Sequence, residues 1–324
     1  MKEKQIKMKK RLLILMLTIY MGLMATACSK YDSDEIALRD EGVELMDSGD
    51  YEGAIDKFDE ALSCSIGKVT DLEIDINYYK AAAQYNAGLF DDAVDTYSAL
   101  IKYDGDNYEP YFLRGSIYAD QGETTQAITD YDKAIECDEK NYLLYIQIYE
   151  NLNELGYADQ GMVYLNQALD VSDKSANGKY YKGRIYYILG DEEKAEEYLS
   201  AAVDKDVVEA KLYLAKLYQS QGNTDAAQEL LEEYANSDEV TSDALATLGD
   251  IEMSSGEYEN ALNYYEAGLS LDSIDNMADL LKGQVAALEY LGRFDEAEEV
   301  LTQYVETYPN DEEAAKELIF LQTR

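Results

Sequence analysis

The stretch YFLRGSIYADQGETTQAITDYDKA, Tyr111 to Ala134, contains one complete structural unit. Gly122 stands at its middle. Five residues later comes Ala127, nine later Tyr131 and twelve later Ala134, while Gly115 lies seven residues before it. A glycine can adopt the left-handed backbone state that ends a helix, because it has no Cβ to clash. The pattern on either side predicts two helices joined by a tight turn. Small residues on the facing stripes let the helices approach, and large ones fill the gaps between units.

The same arrangement recurs along the chain. Turn glycines fall at Gly49, Gly88, Gly122, Gly156, Gly190, Gly222, Gly256 and Gly292, in steps of 39, 34, 34, 34, 32, 34 and 36 residues. Five residues after them stand Ala54, Ala93, Ala127, Gly161, Ala195, Ala227, Ala261 and Ala297. Nine after them stand Phe58, Tyr97, Tyr131, Leu165, Leu199, Leu231, Tyr265 and Leu301. Seven before the glycine the residue is small in six units, and Tyr149 and Val285 are the exceptions. Asp50, Glu123, Asp191, Asn223 and Glu257 come directly after their glycines and suit the start of a second helix. A period near 34 held over most of a chain means a stacked array of units rather than a compact globule. The longer first step falls around Cys64 to Asp75, where a longer loop or an extended helix is expected.

These residues and spacings resemble the tetratricopeptide repeat (TPR) family over about residues 35–311, although no tryptophan occurs and tyrosine takes the large-residue places. The resemblance implies an all-α, right-handed superhelical solenoid of about eight helix-turn-helix units over 35–310. A capping helix is expected in 311–324, from Ala314, Ala315, Leu318 and Ile319. It also implies that the first helix of each unit lines a concave groove, with ligand-facing places three, six, ten and thirteen residues before the turn glycine. Carried onto this chain, those places give Tyr78, Tyr85, Phe112, Tyr180 and Tyr187 as groove rings. Arg184 and Lys216 hold the six-before place in successive units, where they could anchor a carboxylate or balance a neighbouring acid. Asp75, Glu109, Glu209, Asp243 and Asp279 occupy the thirteen-before place.

The chain has 27 Lys and Arg against 67 Asp and Glu, a formal net charge of −40. That field disfavours nucleic acid and anionic lipid and attracts basic peptides, basic proteins and divalent cations. Acid-rich outer faces also keep a long solenoid soluble. There is no histidine, no Ser/His or Cys/His pair and no phosphate-cradling glycine loop. Asp104-Gly105-Asp106-Asn107 lacks the alternating ligands and distal glutamate of a calcium loop and reads as a turn. We therefore expect no catalytic residue, no metal and no cofactor. Cys64 and Cys137 occupy equivalent places two units apart, too far for a disulfide.

Residues 1–27 read as an address. A basic start of eleven residues precedes an apolar run from Leu12 to Ala27, which is shorter than the roughly 20 residues a spanning helix needs. Met24-Ala25-Thr26-Ala27-Cys28 resembles a bacterial lipobox. That resemblance implies acylation of Cys28, a short linker over 28–34, and a body held outside the cytoplasm on the outer leaflet of the cell membrane or on the outer membrane. Ala25-Thr26-Ala27 also fits an ordinary secretory cleavage site, and an uncleaved anchor is a third reading. Address and repeat together point to a non-enzymatic, surface-anchored scaffold that binds a peptide or protein, a basic one on charge grounds, in envelope or secretion complex assembly. The alternative is an extracytoplasmic receptor for a small ligand such as a glycan or cell-wall fragment. The oligomeric state is left open.

Overall fold

Residues 33–64, 69–237, 240–274, 276–309 and 311–323 are described by a computed structural model. The signal segment, Cys28 and most of the proposed linker lie outside these residues. All regular structure among the described residues is helical. It falls into two compact units, one running to Val171 and the other from Ser172.

The first unit holds four helical pairs: α1 (Ser33–Asp47) with α2 (Tyr51–Cys64), α3 (Asp71–Ala87) with α4 (Phe90–Tyr103), α5 (Glu109–Asp120) with α6 (Thr124–Cys137), and α7 (Tyr142–Glu154) with α8 (Ala158–Asp170). The second holds α9 (Ala176–Leu189) with α10 (Glu192–Val203), α11 (Glu209–Ser220) with α12 (Thr224–Ala235), α13 (Ser242–Ser255) with α14 (Tyr258–Leu269), α15 (Met277–Tyr290) with α16 (Phe294–Thr307), and a further helix, α17 (Glu312–Gln322). Within each unit a helix packs on its chain neighbours, and first helices also touch first helices of adjacent repeats, as α9 does α11. That is solenoid stacking.

All eight turn glycines have positive φ, between 74° and 88°. At each, the glycine N–H donates to the carbonyl three residues back and the next N–H to the carbonyl five back, as in Gly122 to Ala119 at 3.0 Å and Glu123 to Tyr118 at 2.8 Å. This double closure satisfies carbonyls that the ending helix would leave without partners. Of the residues expected to cap the second helices, Asp50 and Asp191 do so, accepting from the N–H of Gly53 at 3.0 Å and Lys194 at 3.2 Å. Glu123, Asn223 and Glu257 hold the cap position without a side-chain bond to a backbone N–H of the helix. The Glu123 carboxylate instead accepts from Gln126 at 2.6 Å.

The small-to-large spacing has a steric basis. A Cβ on Gly42, Gly115, Gly183 or Gly249 would come within 2.4–2.9 Å of Phe58, Tyr131, Leu199 or Tyr265, the residue nine after the same turn glycine. In the fourth repeat the roles are exchanged. Tyr149 occupies the usual small place, and its partner five after the turn is Gly161, where a Cβ would sit 3.1 Å from Tyr149. The extra residues of the first step lengthen α3 to 17 residues. Its first turn is closed by Glu73, whose carboxylate accepts from the Thr70 N–H at 2.8 Å. Cys64 and Cys137 are both free thiols. The Cys137 thiol lies 3.6 Å from the Gly105 carbonyl, and partial burial pushes its pKa up.

Candidate partner-binding site

The groove residues of the first unit turn inward. Tyr85 and Phe112 are each 1% exposed, which corrects the expectation that they offer ring surface to a ligand. The reason is volume: with few leucines in these first helices, the aromatic rings fill the space between repeats. Phe112 sits 6.0 Å from the Tyr131 ring, and the Tyr85 hydroxyl donates to Asp120 at 3.2 Å. Tyr78 is also buried, and its hydroxyl accepts from the Asn107 amide at 3.2 Å. Burial raises the pKa of the Glu109 carboxyl beside it, with a hydrogen bond from Tyr78 acting the other way.

In the second unit the expected residues do come together. Tyr180, Arg184 and Tyr187 lie along one stripe of α9, spaced four and three residues apart. The helix is started by Ser175, whose hydroxyl accepts from the Gly178 N–H at 2.9 Å, and is ended by Gly190. On α11, Lys216 lies one turn after Tyr213, which sequence reasoning missed because it stands nine, not ten, residues before its glycine. The available signal was that Tyr181 holds the same place in the preceding repeat. Tyr213 is the hub. Its ring centroid lies 5.9 Å from that of Tyr180 and 6.1 Å from that of Tyr187. The Arg184 guanidinium carbon is 5.0 Å from it and the Lys216 ammonium 5.8 Å. Cations at this range are attracted by the ring face. Lys216 also pairs with Asp243, at the start of α13, at 2.6 Å.

The environment tunes these groups. Burial pushes the Tyr180 phenol well up, against the pull of the Arg184 charge. Burial, and then the negative charge of Asp243, raises Tyr187. Both phenols therefore keep their hydroxyls as donors through the physiological range. All five residues are at least partly buried, so their rotamers are held before any partner arrives.

Several thirteen-before carboxylates are already engaged by the preceding repeat. Asp75 is bound by Arg39 at 3.4 Å, and Asp243 by Lys216. The regular row of exposed acids lies elsewhere, on second helices three and seven residues after the glycine, as in Asp91 and Asp95, Glu193 and Glu197, Asp225 and Glu229. No group of three or more His, Cys, Asp or Glu with metal-holding geometry occurs among the described residues, and no described helix is long and apolar enough to cross a membrane.

Comparison with known proteins brings out the same period. The chain is 26% identical over 207 residues to a TPR repeat-containing protein of Methanocaldococcus jannaschii, covering 64% of this chain and 30% of that one. It is 26% identical over 227 residues to lipopolysaccharide assembly protein B of Escherichia coli K12, covering 67% of this chain and 58% of that one. It thus spans less than two thirds of either relative. Among solved structures, the APC/C hetero-tetramer Cut9-Hcn1 aligns at a TM-score of 0.51 with 14% identity, over 88% of this chain and 55% of that one, which speaks to fold alone. The pattern of the Tetratricopeptide repeat family matches residues 78–142, 164–206, 212–273 and 246–312, and with that coverage the chain belongs to the tetratricopeptide repeat family.

Proposed function

We propose that this chain is a non-enzymatic scaffold that holds a peptide or protein partner on the first-helix face of its repeats, with Arg184, Tyr187, Tyr213 and Lys216 as the principal contact and the buried Tyr180 ring backing Tyr213. The observation that carries this reading is the assembly of two rings and two cations around Tyr213 on successive first helices. Rings supply contact area at low entropic cost, and preset cations select a polar or acidic group at this one place. The net charge of −40 favours a partner that is basic elsewhere. Tyr78, Tyr85 and Phe112 pack the interior of the first unit rather than touching the partner.

The proposed setting is the outer face of a bacterial membrane, with Cys28 acylated. The lipobox-like Ala25-Thr26-Ala27-Cys28 supports this, as does the likeness to a lipopolysaccharide assembly protein. Crosslinking in cells followed by mass spectrometry tests both parts. The expected result is a lipid-modified Cys28 peptide and one recurrent neighbour whose crosslinks fall on α9 and α11. Tyr213→Ala and Lys216→Glu should each abolish that capture, while Glu229→Lys on the exposed face of α12 leaves it intact. Capture unaffected by Tyr213→Ala would overturn the site. Binding of glycans but of no peptide by the purified chain would favour the receptor reading instead.

A further inference from the structure

Among the described helices α9 alone carries no acid. Its sequence, ANGKYYKGRIYYIL, holds Lys179, Lys182 and Arg184 in a chain whose acids outnumber its bases by more than two to one. The sign then changes from one first helix to the next through the second unit. At the three-, six- and thirteen-before places α9 presents Arg184 with Asn177 and Tyr187, and no carboxylate. Helix α11 presents one charge of each sign, Lys216 and Glu209. Helix α13 presents Asp243 and Asp250, and α15 presents Asp279 and Glu289, with no cation at these places. The one groove cation of α15, Lys282 at the ten-before place, is taken up by Asp311 at 2.7 Å.

Contacts within the fold fix this gradient. Lys216 and Asp243 pair at 2.6 Å, joining the two signs at the crossover between α11 and α13. Asp250 is exposed but held, because the Tyr265 hydroxyl donates to it at 2.7 Å. At the other pole the Arg184 guanidinium is steadied 5.0 Å from the Tyr213 ring. Both poles are therefore positioned before a partner arrives.

We infer that the groove of the second unit is electrically polarised and fixes the order of its occupant: a peptide segment lying across the first helices, its acidic end on α9 and its basic end on α13 and α15. This rests on the groove reading proposed above and adds order and spacing to it. Helices packed 8–10 Å apart put α15 about 24–30 Å from α9, three steps on. An extended chain covers about 3.3 Å per residue, so the acid and the base of the segment stand about eight residues apart. The reverse order sets an acid against Asp250 and Asp279 and a base against Arg184, and like charges at both ends reject it. A uniformly basic segment satisfies only the α13 and α15 end.

Synthetic peptides with blocked termini test this. One carries a pair of glutamates and, about eight residues away, a pair of lysines, and is made in both chain directions. A control has the same composition with its charges alternating. Fluorescence anisotropy with the full chain at low salt should show an ordered peptide binding roughly ten-fold more tightly than the control, an advantage that fades as salt screens the charges. Arg184→Gln and Asp279→Lys should each remove most of that advantage, with circular dichroism reporting an intact fold. A photo-crosslinker beside the glutamates should mark α9 or α11, and one beside the lysines α13 or α15. Equal binding of ordered and alternating peptides, binding of neither, an advantage that survives both substitutions, or crosslinks in the opposite order would overturn the inference and leave the groove standing. Crosslinks away from the first helices altogether would overturn it together with the groove reading.

Discussion

Single residues show where packing limits the choice of amino acid. At Gly249 a Cβ would lie 2.4 Å from the Tyr265 ring, inside any real contact distance. Gly249→Ala is expected to destabilise the chain by about 1–3 kcal/mol through overpacking, read as a lower denaturant midpoint. The equivalent place in the second repeat holds Ala81, which is fully buried, as is Tyr97, the residue nine after that repeat's turn glycine. Asp206 is the converse case. It has φ 61° in the turn before α11, a state that costs an L residue energy. Asp206→Gly should raise stability by about 0.5–1 kcal/mol, the relief of strain exceeding the entropy that glycine adds to the unfolded chain. The turn glycines and their large partners were readable from spacing, because a fixed φ and a fixed gap leave few residue choices. The exchange between Tyr149 and Gly161 was visible as two departures in one repeat, but only the contact shows that each compensates the other. Tyr213 was readable only through Tyr181 at the same place in the preceding repeat. Spacing assigns a helix face only to within a turn, and whether a ring on that face points to solvent or to a neighbour depends on the next helix.

Individual helices gain their ends from different chemistry. The start of α17 is held by Asp311, which accepts from the Ala314 N–H at 3.1 Å and the Tyr304 hydroxyl at 2.9 Å while pairing with Lys282. The Lys282 contact, then the cap bond, holds the Asp311 carboxyl below the usual carboxylate range. A carboxyl depressed in the folded state contributes stability above its unfolded pKa of about 3.9, and that stability is lost as pH falls below it. Hydrogen exchange in α17 should therefore speed up selectively as pH drops below 4, after correction for the intrinsic rate. Asp311→Ala should cost about 1 kcal/mol at neutral pH, mostly as a lost cap, because Lys282 is half exposed and its pairing is screened. The difference between variant and parent should shrink at pH 3. A constant difference across that range would assign the effect to packing. The helix itself was legible from its apolar residues. Its register relative to the preceding repeats was not, because apolar periodicity alone does not fix it, whereas the Lys282–Asp311 pair does.

Across the whole molecule the substitution of tyrosine for other large residues has a consequence that leucine would not bring. The fully buried rings include Tyr85, Tyr97, Tyr131 and Tyr265, distributed over both units. Burial raises the phenol pKa at each, and a hydrogen-bonded carboxylate adds to it at Tyr85 and Tyr265, through Asp120 and Asp250. Tyr265 donates to Asp250 at 2.7 Å, and Tyr164 to Asp132 at 3.0 Å, so ionisation would place two negative charges in contact. For a group whose folded pKa lies above its unfolded value, stability is complete below the unfolded pKa and declines as pH rises past it. The unfolded phenol titrates near pH 10, so the melting temperature should hold steady up to about pH 9.5 and then fall steeply. In a repeat array each repeat depends on its neighbours, so buried rings in adjacent repeats should ionise together with loss of helix rather than one by one. Absorbance at 295 nm and helical circular dichroism, recorded in one alkaline titration, should show the main tyrosinate step coinciding with unfolding. Replacing Tyr265 by Phe removes one contributor and a phenol–carboxylate bond together. It should lower stability at neutral pH by about 1 kcal/mol while making the alkaline decline less steep. If the buried phenols titrated with the helices intact, the tyrosines would not be the joints that hold successive repeats together.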